Sequence, residues 1–160
     1  MASRDRLATY LNDHLMGSAG ARDLAEHSRA KVDGSELATF LGWLRDQIEE
    51  DRAELLGLMV RLGISEHRLK HAAGAVAEKV SRFKLDELRD EAADLNRMLE
   101  LESLQLGIEG KHTLWRTLQQ LARSDPELAQ TDYDRLIERA RQQAAEIDGH
   151  RRQLVDAAFA

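Results

Sequence analysis

The chain contains no cysteine. Disulfides, thiolate catalysis and cysteine-held zinc or iron–sulfur centres are therefore excluded. Proline occurs once, at Pro126, so there is a single strong helix stop. β-Branched residues are sparse and nowhere alternate with polar ones for long, which leaves no strand signal. No apolar run approaches the roughly 20 residues of a membrane span. The first residues, MASRDRLATYLNDHL, lack the apolar core of a signal peptide, so a cytoplasmic, non-membrane protein is expected. No Ser–His–Asp order, nucleophile elbow or glycine-rich nucleotide loop is present. Most common cofactors thus find no recognisable site, and no residue is assigned a catalytic role.

What is present is helix-former composition, dominated by Ala, Leu, Glu, Gln and Arg. With 160 residues, 42% hydrophobic and 32% charged, one helical domain spanning 1–160 is expected, large enough for a real core. The net charge of −6, with both signs mixed along every helix, argues against a general nucleic-acid binder. It reads as a salt-bridge-laced surface. Of 23 basic residues, 18 are Arg, a bias that suits a GC-rich bacterial genome.

Four long helices follow from periodicity. The first, from about Arg4 to Ala30, carries Leu7, Tyr10, Leu11, Leu15, Leu24 and Ala25 on one stripe, with His14 among them. Gly17 and Gly20, three apart, predict close approach of another helix or a local kink. Asp33 or Ser35 can cap the second helix, which Gly63 ends. Its stripe of Leu37, Leu41, Leu44, Ile48, Leu55, Leu58 and Leu62 alternates steps of three and four. Asp51 is the one violation. Trp43 flanks that stripe and is read as a dimer contact. Ser65 to about Phe83 predicts an extra short helix in the connection between helices 2 and 3, carrying a His67–His71 pair. The last helix follows Ser124-Asp125-Pro126, with Thr131 as the expected cap. Its stripe is Tyr133, Ile137, Ala140, Ala144, Ile147 and Leu154.

The third helix, Leu95 to Ala122, is the most apolar, with Leu95, Leu99, Leu101, Leu104, Leu106, Ile108, Trp115 and Leu118 spread over much of its circumference. It predicts burial on more than one side. Glu102, Glu109 and His112 accompany that surface, the last two as Glu-x-x-His. Gly107 and Gly110 are read as a patch facing Gly17 and Gly20.

At 1.5 Å per residue, His14 stands roughly 15 Å up the first helix and Asp51 roughly 16 Å up a bundle of about 40 Å. Glu102 and Glu146 fall near mid-height. Position alone predicts a buried cluster of His14, Asp51, Glu102 and Glu146, with Glu109 and His112 one to two turns away. A buried carboxylate must be paired, protonated or bound to metal. Paired between carboxylates, His14 would be cationic, with a raised pKa.

The chain resembles the ferritin-like superfamily, and within it a small bacterial branch without an assigned function. LATYLNDHL in the first helix, IEEDRAEL in the second and LELESLQLGIEGKHTLW in the third carry the resemblance. It implies a four-helix bundle with a long connection between two hairpins. Metal-binding members draw one Glu from each of two helices and Glu-x-x-His from each of the other two. Here only Glu109–His112 matches. The second helix has Asp51-x-x-Glu54, the last Glu146-x-x-x-His150, and the first has His14 in place of the usual Glu.

Two functional readings follow. One is a non-catalytic bundle, structural or interacting with a second copy or an unidentified protein, whose buried His/Asp/Glu cluster fixes helix register. The alternative is an iron or manganese protein with iron-oxidation or oxygen-dependent redox chemistry, its ligands drawn from His14, Asp51, Glu102, Glu109, His112 and Glu146. A small-molecule pocket among the helices, filled by an apolar ligand, is a third.

Overall fold

The computed structural model describes residues 3–66 and 93–160. Among them the chain is all-α, with four helices and no strand: α1 (Arg4–Lys31), α2 (Glu36–Arg61), α3 (Ala93–Ala122) and α4 (Tyr133–Ala158). The expected short helix after Ser65 and the His67–His71 pair lie outside the described residues. No described helix is long and apolar enough to cross a membrane.

Local signals set the helix ends. The Ser35 hydroxyl accepts the Ala38 amide at 3.0 Å and caps α2. Gly63, at φ +65°, adopts the left-handed conformation that ends it. The cap of α4 is Asp132, which accepts the Arg135 amide at 3.1 Å, one residue later than the expected Thr131. The Thr131 hydroxyl is engaged elsewhere, accepting from Arg61 at 2.7 Å.

Packing order follows from which ends meet. Lys31, at the end of α1, reaches Glu100 near the start of α3 at 2.7 Å. Leu7 and Leu11, at the other end of α1, pack with Trp115, Leu118 and Leu136. Hence α1 and α4 point one way, α2 and α3 the other, and each helix is antiparallel to the neighbours it touches most. α1 packs on α2 and α3, and α4 packs on α3 and α2. The end of α2 and the start of α3 are therefore at opposite ends of the bundle. An up-down-down-up order of four helices is consistent with a ferritin-type arrangement.

The core is divided along the bundle axis. One apolar layer contains Leu11, Leu58, Trp115 and Leu136, and the other Ala25, Leu44, Leu104 and Ile147. Burial of these side chains, worth roughly 1.5–3 kcal/mol for each large one, holds the helices together. Between the layers each seam changes character. α2 presents Asp51, α3 Lys111 and α4 Gln143, while α1 offers small residues at Gly17, Ser18 and Ala21.

The third helix departs from the expected stripe. Met98, Leu101, Leu104, Ile108, Leu114, Trp115 and Leu118 are buried, but Leu99 lies at the surface and Leu106 is 75% exposed. The buried face is a single seam, phased by steps of three and four through 101, 104, 108, 111, 115 and 118. Leu99 and Leu106 point away from it. The acid buried on α3 is Glu100, 2% exposed and paired with Lys31. Glu102 is only half-buried.

Candidate ligand-binding site

Asp51 is 3% exposed, and its two oxygens are fully engaged. Oδ1 accepts from Arg139, through Nε at 2.8 Å and through a second guanidinium nitrogen. Oδ2 accepts from Gln143 at 3.1 Å and from the Lys111 ammonium. Lys111 also donates to Gln143 Oε1. Arg139 reaches outward to Glu50 at 3.0 Å. Three helices thus supply one closed polar layer. Burial pushes the Lys111 ammonium below the ordinary lysine range. Asp51 pulls it back up, and Arg139 adds to the downward shift.

This layer corrects the metal expectation. Among the described residues, no three His, Asp or Glu side chains are placed to hold a metal ion. The iron or manganese reading and its redox chemistry are overturned by that geometry, and so is a buried cluster of His, Asp and Glu as the register-fixing device. Cations and an amide surround Asp51 where a metal and its other ligands would have to stand. Glu109 and Glu146 are exposed and Glu102 is half-buried. Glu109 and His112 do meet, at 3.7 Å, across one turn. His14 is half-buried and packs edge-on against Tyr10, with ring centroids 4.6 Å apart. Its pKa is lowered by burial, against the pull of Asp13, so the cationic His14 expected between carboxylates is also corrected.

Lys111, Arg139 and Gln143 escape a search for carboxylates and histidines. The signal for two of them is nonetheless in the pattern. Lys111 falls between Ile108 and Trp115 on the correctly phased seam of α3. Gln143 falls between Ala140 and Ile147 on α4. Each is the single polar break in its stripe, as Asp51 is in α2. Arg139, one turn before Gln143, borders that break.

Beside the polar layer, between α1 and α3, lies a hollow of about 200 Å³. Gly17 of α1 and Gly107 and Gly110 of α3 line it from opposite sides. A Cβ built on Gly17 or Gly110 would meet nothing within 4 Å, and one on Gly107 would stand 3.7 Å from Ala21 Cβ. Apolar wall comes from Ile48, Leu55, Ile108 and Leu114. Trp115, 1% exposed, lines it too, and its indole N–H is buried with no hydrogen-bond partner. His14, Ser18, Asp51, Arg52 and Lys111 complete the polar lining, and exposed Asp13, Gly17 and Gly107 mark the solvent side.

No family model matches the chain, nor does any curated protein or solved structure.

Proposed function

We propose that the protein is a ligand-binding helical bundle of ferritin-type architecture, which takes a single-ring organic molecule into the hollow between α1 and α3. The observation that carries this reading is a partly apolar cavity built at a cost to the helices. A helix-interior glycine is about 0.5–1 kcal/mol worse than alanine, and neither Gly17 nor Gly110 is required by a neighbour. The hollow's apolar walls, from Ile48, Leu55, Ile108, Leu114 and Trp115, suit such a body. A cavity of about 150 Å³ accepts benzene, and drug-sized pockets start near 300 Å³. The volume here, about 200 Å³, suits one ring with a small substituent.

Titration calorimetry with benzamide, a neutral single-ring probe, tests the reading. Benzamide is expected to bind wild type and to fail with Gly110→Leu, whose side chain occupies the hollow, while circular dichroism shows that variant still folded. Absence of binding to wild type, or equal binding to both, would contradict it.

Surface chemistry favours one further, separate reading. Trp43 is 40% exposed beside Phe40, their ring centroids 5.8 Å apart. A homodimer through that face is the proposal the sequence makes. It predicts that Trp43→Ala lowers the sedimentation mass of the protein from dimer to monomer.

A further inference from the structure

We infer that the hollow between α1 and α3 selects an uncharged ring with one small dipolar group, and that it discriminates against an anion and a cation of the same shape. This inference rests on the hollow being a ligand site and names the class of molecule it admits. The lining carries two carboxylates, Asp13 and Asp51, and two cations, Arg52 and Lys111, so it is balanced in sign. Three of these four groups are already engaged within the protein. Asp51 accepts from Arg139 on one oxygen and from Lys111 and Gln143 on the other. Lys111 donates to Asp51 and to Gln143. Arg52 donates to Leu15 O at 2.9 Å and Ser18 Oγ at 3.1 Å, and pairs with Glu66 at 3.7 Å. The fourth group, Asp13, stands on the exposed side, where water screens it and ion pairing is weak. His14 adds no charge at neutral pH, because burial holds its imidazole below the ordinary histidine range.

A ligand ion entering such a lining sheds hydration and finds no unspent partner to replace it. An anion beside Lys111 also meets Asp51, the acid that Lys111 already holds. A cation beside Asp51 meets Lys111 in the same way. For either sign the new attraction is offset by an adjacent like charge, and the lost hydration is not recovered. An uncharged ring sheds far less. Its body gains burial against Ile48, Leu55, Ile108 and Leu114. Its dipole can align with the Asp51–Lys111 pair without breaking it, one end toward the carboxylate and the other toward the ammonium.

Benzamide, benzoate and benzamidinium each join one ring to one small head group and differ in charge, so the three isolate the claim. Calorimetry on wild type at neutral pH is expected to show benzamide binding about tenfold or more tightly than either ion. Lys111→Met removes one cation and leaves both acids, so benzamidinium should gain about fivefold on benzamide in that variant. If Lys111→Met does not fold, the wild-type comparison still decides. Either ion binding wild type as tightly as benzamide would overturn the selectivity and leave the cavity reading standing. Binding of none of the three would overturn both. An unchanged ratio of benzamide to benzamidinium affinity in a folded Lys111→Met would overturn charge balance as the cause.

Discussion

Asp51 is the residue on which the interior charge balance turns. Removing it leaves Lys111 and Arg139, both half-buried, without their shared anion, and Arg139 with only the exposed Glu50. Breaking a buried pair in this way costs about 3–5 kcal/mol. Asp51→Ala is therefore expected to lower the urea-unfolding free energy by that amount, whereas Lys111→Met, which leaves Asp51 with Arg139 and Gln143, should cost clearly less. Equal losses would mean that the two cations do not share one anion as described. His14 makes a pH prediction. Its folded pKa lies below the ordinary histidine value of 6.5 because burial outweighs Asp13. Between those two values the folded state binds fewer protons than the unfolded one. Stability present above about pH 6.5 is thus lost as pH falls toward the folded value. Urea midpoints measured from pH 7 to pH 5 should fall more steeply for wild type than for His14→Gln, and parallel profiles would contradict the assignment. At this scale the sequence was half legible. Asp51 was visible because it interrupts seven aliphatic positions on α2. Its partners were not, because Lys and Arg on helices are common at surfaces, and only spatial assembly separates an inward Lys111 from the many outward ones.

Helix seams decide what can meet at that depth. The seam of α2 could be read position by position, since its steps of three and four never falter. That of α3 was harder to phase, because Leu95, Leu99 and Leu106 add apolar side chains off the buried face. A face drawn through them brings Glu102 inward, where the fold buries Glu100 and places half-buried Lys111 on the seam. The glycines on α1 and α3 are ambiguous in a different way, since small residues are compatible with close packing, as at Gly107 beside Ala21, or with empty space, as at Gly17 and Gly110. Their role is testable. Gly17→Ala and Gly110→Ala have room for the added methyl group, so each should raise stability by roughly 0.5–1 kcal/mol. Destabilisation would show that the helices approach more closely than described. At the start of α2, Ser35→Ala removes the acceptor for the Ala38 amide and should cost about 1 kcal/mol. A loss below a few tenths in thermal unfolding would show that the cap is redundant.

Across the whole molecule, the arrangement is two apolar layers separated by a polar one, with an indentation beside the polar layer on the α1–α3 side. The overall class was legible because helix lengths of 28, 26, 30 and 26 residues leave few alternatives to a bundle. What the interior polar groups do was not legible. That depends on which signs of charge converge, and here cations meet an acid where a metal centre would gather several acids. The central claim is that the hollow receives a single-ring ligand beside Trp115. The chain has two tryptophans, and Trp43 lies at the surface, so proton–nitrogen NMR should resolve one buried and one exposed indole N–H. Titration with benzamide should move the Trp115 indole resonance to saturation, with the Trp43 resonance fixed. A Trp115 resonance that stays in place at millimolar benzamide would contradict the account.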